Sequence, residues 1–100
     1  MPNGGAKFSP GTITVTPACE QAFQRTGEQM PLFLVRHVSG DYGTVTPERA
    51  RENDYAIQHN LRVLSEYTLA DGTRIWVHTE GDRSTTEFML PEEYGGETLY

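Results

Sequence analysis

Residues 61–90 read LRVLSEYTLADGTRIWVHTEGDRSTTEFML, and this run decides the fold. Leu61, Val63, Ser65, Tyr67 and Leu69 alternate with Arg62, Leu64, Glu66 and Thr68. That period of two puts successive side chains on opposite faces of a strand. Asp71-Gly72 follows, a strong signal for a two-residue type I′ hairpin turn. The return from Thr73 to Thr79 alternates Ile75 and Val77 with Arg74, Trp76 and His78. Ile75 and Val77 are expected to face the core, which leaves Trp76 on the other face. Gly81-Asp82-Arg83 turns the chain again. Ser84 to Leu90 forms a third strand, closed by Pro91, which cannot donate to a ladder. The expected product is a three-stranded antiparallel meander.

Upstream, Thr12-Ile13-Thr14-Val15-Thr16 is a short β-branched strand that can extend this sheet. Thr16-Pro17 has the form of a helix cap followed by a first-turn proline. The helix carries Ala18, Cys19, Ala22 and Phe23 on one face and stops at Gly27. Leu32-Phe33-Leu34-Val35 with Val38 fits a buried strand or a short helix. Pro31 at a first turn and Gly40 at an end favour the helix. Thr46-Pro47-Glu48 opens another helix that runs to about His59, with Ala50, Asn53, Asp54 and Ile57 near one face. That face is poor in large apolar groups, which places the helix at the edge of the core. Asn53 or Asp54, once buried there, requires hydrogen-bond partners.

The fold class expected is therefore α+β: a short N-terminal strand and helices, then the meander, with helices covering one face of the sheet. A chain of 100 residues makes one domain, assigned to residues 12–91. Residues 1–11, rich in Gly, Pro and Asn, and the acidic tail 92–100 are expected to be flexible.

Eight Lys and Arg against 14 Asp and Glu leave a net charge of −6. That balance opposes direct binding to nucleic acid and suits a protein partner with a basic, nucleic-acid-binding surface. Cys19 is the only cysteine, so no internal disulfide forms and a reducing compartment is expected. The first residues lack the apolar run of a signal peptide, and no stretch has membrane-spanning length. The expected location is cytoplasmic, with no membrane contact. His37, His59 and His78 are far apart in sequence and Cys19 has no partner, so no metal motif is present. No glycine-rich phosphate loop opens a helix, and no cofactor is expected. Cys19, on an apolar helix face, fits the core better than a nucleophile.

Two polar clusters remain. Arg36-His37-Val38-Ser39-Gly40-Asp41-Tyr42-Gly43 gathers a cation, an imidazole, a hydroxyl, a carboxylate and a phenol in one bend. Beside Arg36 the proton affinity of His37 should fall, which suits a general base. Equally, Arg36 and His37 suit the C-terminal end of a helix, where cations are favoured. Asp41 shapes the turn or supplies a carboxylate. Tyr42 is an exposed aromatic anchor or covers the core edge. In the second cluster, Asp82-Arg83-Ser84-Thr85-Thr86, an arginine and hydroxyls can hold a phosphate or carboxylate. The same residues also make an ordinary turn with a surface ion pair. Trp76, between Arg74 and His78, is a protein-binding anchor if it lies on the open face. The candidate binding residues are thus Arg36, His37, Asp41, Tyr42, Arg74, Trp76, Asp82, Arg83 and Ser84. The two clusters are expected to meet, with Asp41 or Asp82 paired to Arg36 or Arg83 and His37 gaining a partner that fixes its tautomer.

Arg36-His37-Val38-Ser39-Gly40-Asp41, Leu64-Ser65-Glu66-Tyr67, Ile75-Trp76-Val77-His78-Thr79-Glu80 and Asp82-Arg83-Ser84-Thr85-Thr86, ending at Leu90-Pro91-Glu92-Glu93-Tyr94, together resemble a family of small bacterial proteins. These are called plasmid-related proteins and occur on plasmids and other mobile elements. The resemblance covers about residues 12–94. Tyr42 stands where Trp is expected and His78 where an aliphatic residue is expected. What the resemblance implies is a small acidic, non-enzymatic binding protein of a mobile element, in the manner of inhibitors of restriction or CRISPR defences. The order of elements is also similar to the barnase-like and colicin-like ribonuclease fold. That second resemblance implies metal-independent RNA cleavage, with His37, Glu66 and Arg83 as base, acid and cation.

Overall fold

Thr16 and Thr46 begin helices in the same way. Each adopts extended backbone, and its hydroxyl accepts a hydrogen bond from the amide three residues on, Cys19 N at 3.2 Å and Arg49 N at 3.0 Å. A proline follows in the first turn of each, where its missing N–H is no loss. In the computed structural model, which describes residues 5–94, strand β1 (Thr12–Val15) leads into helix α1 (Pro17–Thr26). Helix α2 (Met30–Val38) and helix α3 (Pro47–His59) follow, then strands β2 (Val63–Thr68), β3 (Arg74–Thr79) and β4 (Thr85–Met89). A short 3-10 turn, Pro91–Glu93, closes the described chain. The segment open to either reading is helical, as Pro31 and Gly40 favoured.

The fold is α+β. The sheet order is β1-β4-β3-β2; β2, β3 and β4 form the antiparallel meander, and β1 adds to β4 in parallel. The sheet is therefore mixed rather than a pure meander. The β2–β3 turn also differs from a type I′ turn. Gly72 N bonds Leu69 O at 2.9 Å and Leu69 N bonds Thr73 O at 2.8 Å. Only Gly72 has positive φ, at 92°. These bonds enclose a three-residue loop, Ala70-Asp71-Gly72, with the left-handed residue last. Asp71 is not in left-handed backbone, and its carboxylate accepts from Thr73 N and from Arg25 Nε.

One face of the sheet carries Tyr67, Ile75, Val77 and Phe88, all buried against Cys19, Ala22, Phe23 and Phe33 of α1 and α2. Full burial of such side chains contributes roughly 1.5–3 kcal/mol each, which makes this cluster the main source of stability. A smaller cluster of Tyr42, Ala56 and Val63 holds α3 beside β2.

The outer edge of β2 is capped by two devices. Asn53, fully buried, donates from its amide to Leu64 O at 2.8 Å and accepts from Leu64 N at 3.1 Å. Its side chain thus copies a strand's peptide group, which supplies the partners its burial requires. Further along, Glu66 N bonds Tyr42 O and Thr44 N bonds Glu66 O, with Gly43 bridging in parallel register. A Cβ on Gly43 would lie 1.9 Å from Glu66 O, so only glycine permits this approach. An edge covered in this way cannot recruit another chain.

Residues 7–11 were expected to be loose but are tied to the domain. Lys7 N bonds Val38 O, and Pro10 O accepts from Thr86 Oγ1 at 2.7 Å. Phe8 sets its ring edge-on to His37, with centroids 5.3 Å apart. The start of the tail is likewise held: Glu93 accepts from the Thr16 hydroxyl and from Leu90 N. Residues 1–4 and 95–100, the remainder of the two segments read as flexible, lie outside the described residues.

Candidate functional site

His37 ends in the interior rather than in an exposed bend. It is 0% exposed, on the last turn of α2, facing the helix-covered side of the sheet. Its Nδ1 lies 2.6 Å from Ser65 Oγ and its Nε2 lies 2.8 Å from Thr79 Oγ1. Thr79 Oγ1 is in turn 2.6 Å from Thr86 Oγ1, which donates to Pro10 O. The direction of this chain assigns the tautomer. A carbonyl can only accept, so Thr86 uses its proton there and accepts from Thr79. Thr79, its proton spent, accepts from His37, which places the ring proton on Nε2. Ser65 then donates to Nδ1. Burial holds the imidazole down to about pKa 3, with smaller contributions from His78 and Arg83. The fall expected from Arg36 is produced by burial instead.

The bend itself is a lock. Arg36 Nε reaches Asp41 Oδ2 at 2.8 Å, and its guanidinium lies 4.6 Å from the centre of the Tyr67 ring. The hydrogen bond from Arg36, with a smaller contribution from Gly43 N, holds the Asp41 carboxyl below its usual range against the opposing effect of burial. Tyr42 is buried, not an exposed anchor, and donates to Asp54 at 2.6 Å. Tyr67 donates to Asp41 O at 2.6 Å, joining the bend to the sheet.

Arg83 is consumed in a similar way. It has left-handed backbone, φ 62°. Its guanidinium donates to Leu61 O at 2.7 Å and Ala56 O at 2.9 Å, and also to Glu80 O and Gly81 O. It thereby satisfies carbonyls at the end of α3 and lies over the Phe8 ring. Asp82 accepts from Ser84 N, an ordinary turn contact. Ser84 is exposed, and its carbonyl accepts from Thr12 N. No ion pair joins the two polar clusters among the described residues. They meet instead through His37, Thr79, Thr86 and the ring of Phe8.

Two of the candidate residues, Arg74 and Trp76, lie on β3 apart from both polar clusters, and Trp76 points to the opposite face of the sheet. Trp76 is half-buried there, as the alternation predicts, and donates from Nε1 to Glu66 Oε2 at 3.0 Å. Glu66 also accepts from the Thr44 hydroxyl, and Arg74 approaches it at 3.7 Å. Tyr94 packs its ring edge-on against Trp76 and His78, with centroids 5.2 and 5.1 Å apart. His78 is buried at this contact, and Met89, opposite Trp76 on β4, is buried on the same face. A groove runs between α3 and β3, in which Arg49, Leu64 and Trp76 are shared by two adjoining cavities of about 170 and 320 Å³. Arg49, Arg62, Leu64 and Tyr94 are not among the candidate binding residues read from the sequence. Arg49 carries no signal beyond a solvated helix position, and Tyr94 lies in a segment read as tail.

Cys19 is buried in the main core, and burial pushes its thiol up to about 12, with Glu93 and Glu20 adding to it. Among the described residues no group of three or more His, Cys, Asp or Glu is placed to hold a metal ion. No helix among them is long and apolar enough to cross a membrane. Comparison with family models, curated proteins and solved structures found no significant match.

Proposed function

We propose that this chain is a non-enzymatic binding protein that engages a protein partner through the open face of its sheet, with Trp76 as the anchor. The observation that carries this reading is the separation of the three groups a ribonuclease would need. His37 has no exposed surface and both its nitrogens are occupied. Glu66 points to the other face of the sheet, bound to Trp76. Arg83 is surrounded by carbonyls. Metal-independent RNA cleavage requires base, acid and cation around one phosphate, and this arrangement offers no such point. Trp76, by contrast, presents a large ring that lines both adjoining cavities of the groove, the setting in which tryptophan contributes most to association. The resemblance to plasmid-related proteins puts a component of a host defence system forward as the partner.

The test uses the purified protein as bait in a host lysate, beside Trp76→Ala, and as a candidate nuclease on mixed RNA, beside His37→Gln. The RNA should remain intact. A partner should be captured by the wild type and lost with Trp76→Ala. RNA cleavage that disappears in His37→Gln would overturn the proposal, as would a partner retained unchanged by Trp76→Ala.

A further inference from the structure

The smaller cavity of the groove is walled by Arg49, Arg62, Leu64, Trp76, His78 and Tyr94. Two features separate it from the rest of the surface. The chain carries 14 Asp and Glu against 8 Lys and Arg, yet none of these six residues is acidic and two are arginines, of which Arg49 also meets Glu52 of its own helix at 3.1 Å, so an incoming carboxylate shares that guanidinium with Glu52. Second, His78 is 8% exposed, and its Nε2 has no hydrogen-bond partner among the described residues. A buried ring nitrogen left unpaired is costly and uncommon, and it points to a group that arrives from outside.

We propose that this cavity binds the carboxylate of an acidic residue in an extended segment of the protein partner, held by Arg49, Arg62 and His78 Nε2. The inference rests on the docking face proposed above and names its chemistry. The adjoining cavity shares Arg49, Leu64 and Trp76 and adds Val45, so the apolar neighbour of that acidic residue lies over Leu64 and Trp76. A singly charged carboxylate fits better than a phosphate. Glu80 Oε2 lies 3.9 Å from His78 Nδ1, Glu87 stands opposite His78 on β4, and Glu66 stands opposite Trp76 on β2. Those carboxylates would repel a dianion more strongly.

Bringing a carboxylate to Nε2 leaves the imidazole between two anions, with Glu80 on the other side, which favours the ring protonated at both nitrogens. In the free protein burial keeps His78 below its ordinary value; Glu80 opposes that and Arg62 adds to it. Among the described residues, Glu87, Arg49 with its partner Glu52, and Tyr94 also stand around this site. Binding therefore takes up a proton, and affinity rises as pH falls from 7.5 to 6, by up to about tenfold per unit. A peptide glutamate stays ionised over that range.

Trp76 is the only tryptophan, so its fluorescence reports occupancy. The probes are the blocked peptide acetyl-Leu-Glu-Leu-amide, its Gln counterpart and inorganic phosphate. The Glu peptide should give a saturable change, at least tenfold tighter than the Gln peptide and tighter than phosphate. Arg49→Gln with Arg62→Gln should weaken it at least tenfold. His78→Gln should bind the peptide with no pH dependence. Equal response to the Glu and Gln peptides, tighter binding of phosphate, or a pH-independent wild type would each overturn the inference. The peptide comparison uses the wild type alone, so it stands even if an arginine variant fails to fold. If Trp76→Ala loses the partner while the Glu peptide does not bind, this inference fails alone. If the Glu peptide binds while Trp76→Ala keeps the partner, the docking proposal fails alone.

Discussion

Acidification should destabilise this protein well above the carboxylate range, and His37 is the reason. In the unfolded chain its imidazole takes up a proton near pH 6.5, whereas in the folded protein burial delays this to about pH 3. A base with a depressed folded pKa contributes stability that is complete above the unfolded value and is lost as pH falls through the window between the two. The slope is about 1.4 kcal/mol per pH unit, so between pH 6.5 and 5 the loss from His37 is about 2 kcal/mol. His78, also lowered by burial, adds a contribution of the same sign. Asp41, held low by Arg36, titrates below this range and should not contribute above pH 5. Protonation would also put a second N–H against Ser65 Oγ, where Nδ1 now accepts. The assay is urea unfolding followed by Trp76 fluorescence at pH 7.5, 6.5, 5.5 and 5.0, for the wild type and His37→Gln. Glutamine can keep both hydroxyl partners but does not titrate. It should cost about 1–2 kcal/mol at pH 7.5 and remove about 2 kcal/mol of the decline between pH 6.5 and 5. An identical decline in both proteins would refute the reasoning.

Gly72→Val should destabilise by about 1–2 kcal/mol, because a β-branched residue resists φ 92°. Nothing lies within 4 Å of a Cβ added there, so the cost is one of backbone strain alone, and Gly72→Asn should cost less than Gly72→Val in the same urea titration because Asn tolerates left-handed backbone better. Asn53→Leu should cost about 2–3 kcal/mol by leaving Leu64 N and O unpaired in a covered edge. The variant should also self-associate, read by light scattering. Arg83→Lys should lower the thermal midpoint, since one ammonium cannot serve the carbonyls of Ala56, Leu61 and Glu80 together. It should leave partner capture unchanged, because Arg83 lies outside the groove.

Much of the fold was legible because it rests on local rules. Thr-Pro starts, a glycine stop at residue 27 and period-two alternation each act within a few residues, so neighbouring sequence specifies α1, α3 and the three meander strands. The β2–β3 turn was misjudged by one residue. Asp71-Gly72 matches two turn types, and the choice between them depends on bonds from Leu69 and Thr73 and on the contact of Asp71 with Arg25, 46 residues away. The segment of residues 7–11 was misread for a related reason. Its composition is that of a free terminus, and it is held by residues distant in sequence, Val38, His37, Arg83 and Thr86 among them.

The candidate site divides along the same line. Trp76 on the open face follows from alternation alone, since a strand cannot place neighbouring side chains on one side. The residue types of the polar bend were visible too, and their spacing let Arg36 and Asp41 pair locally. The sealing of His37 was not visible, because it depends on Ser65 and Thr79, 28 and 42 residues downstream. Nor was the groove, whose arginines come from α3 and from the turn before β2, and whose Tyr94 arrives from beyond the last strand. Burial and charge proximity are properties of three-dimensional distance, and those distances exist only once helices and sheet have packed.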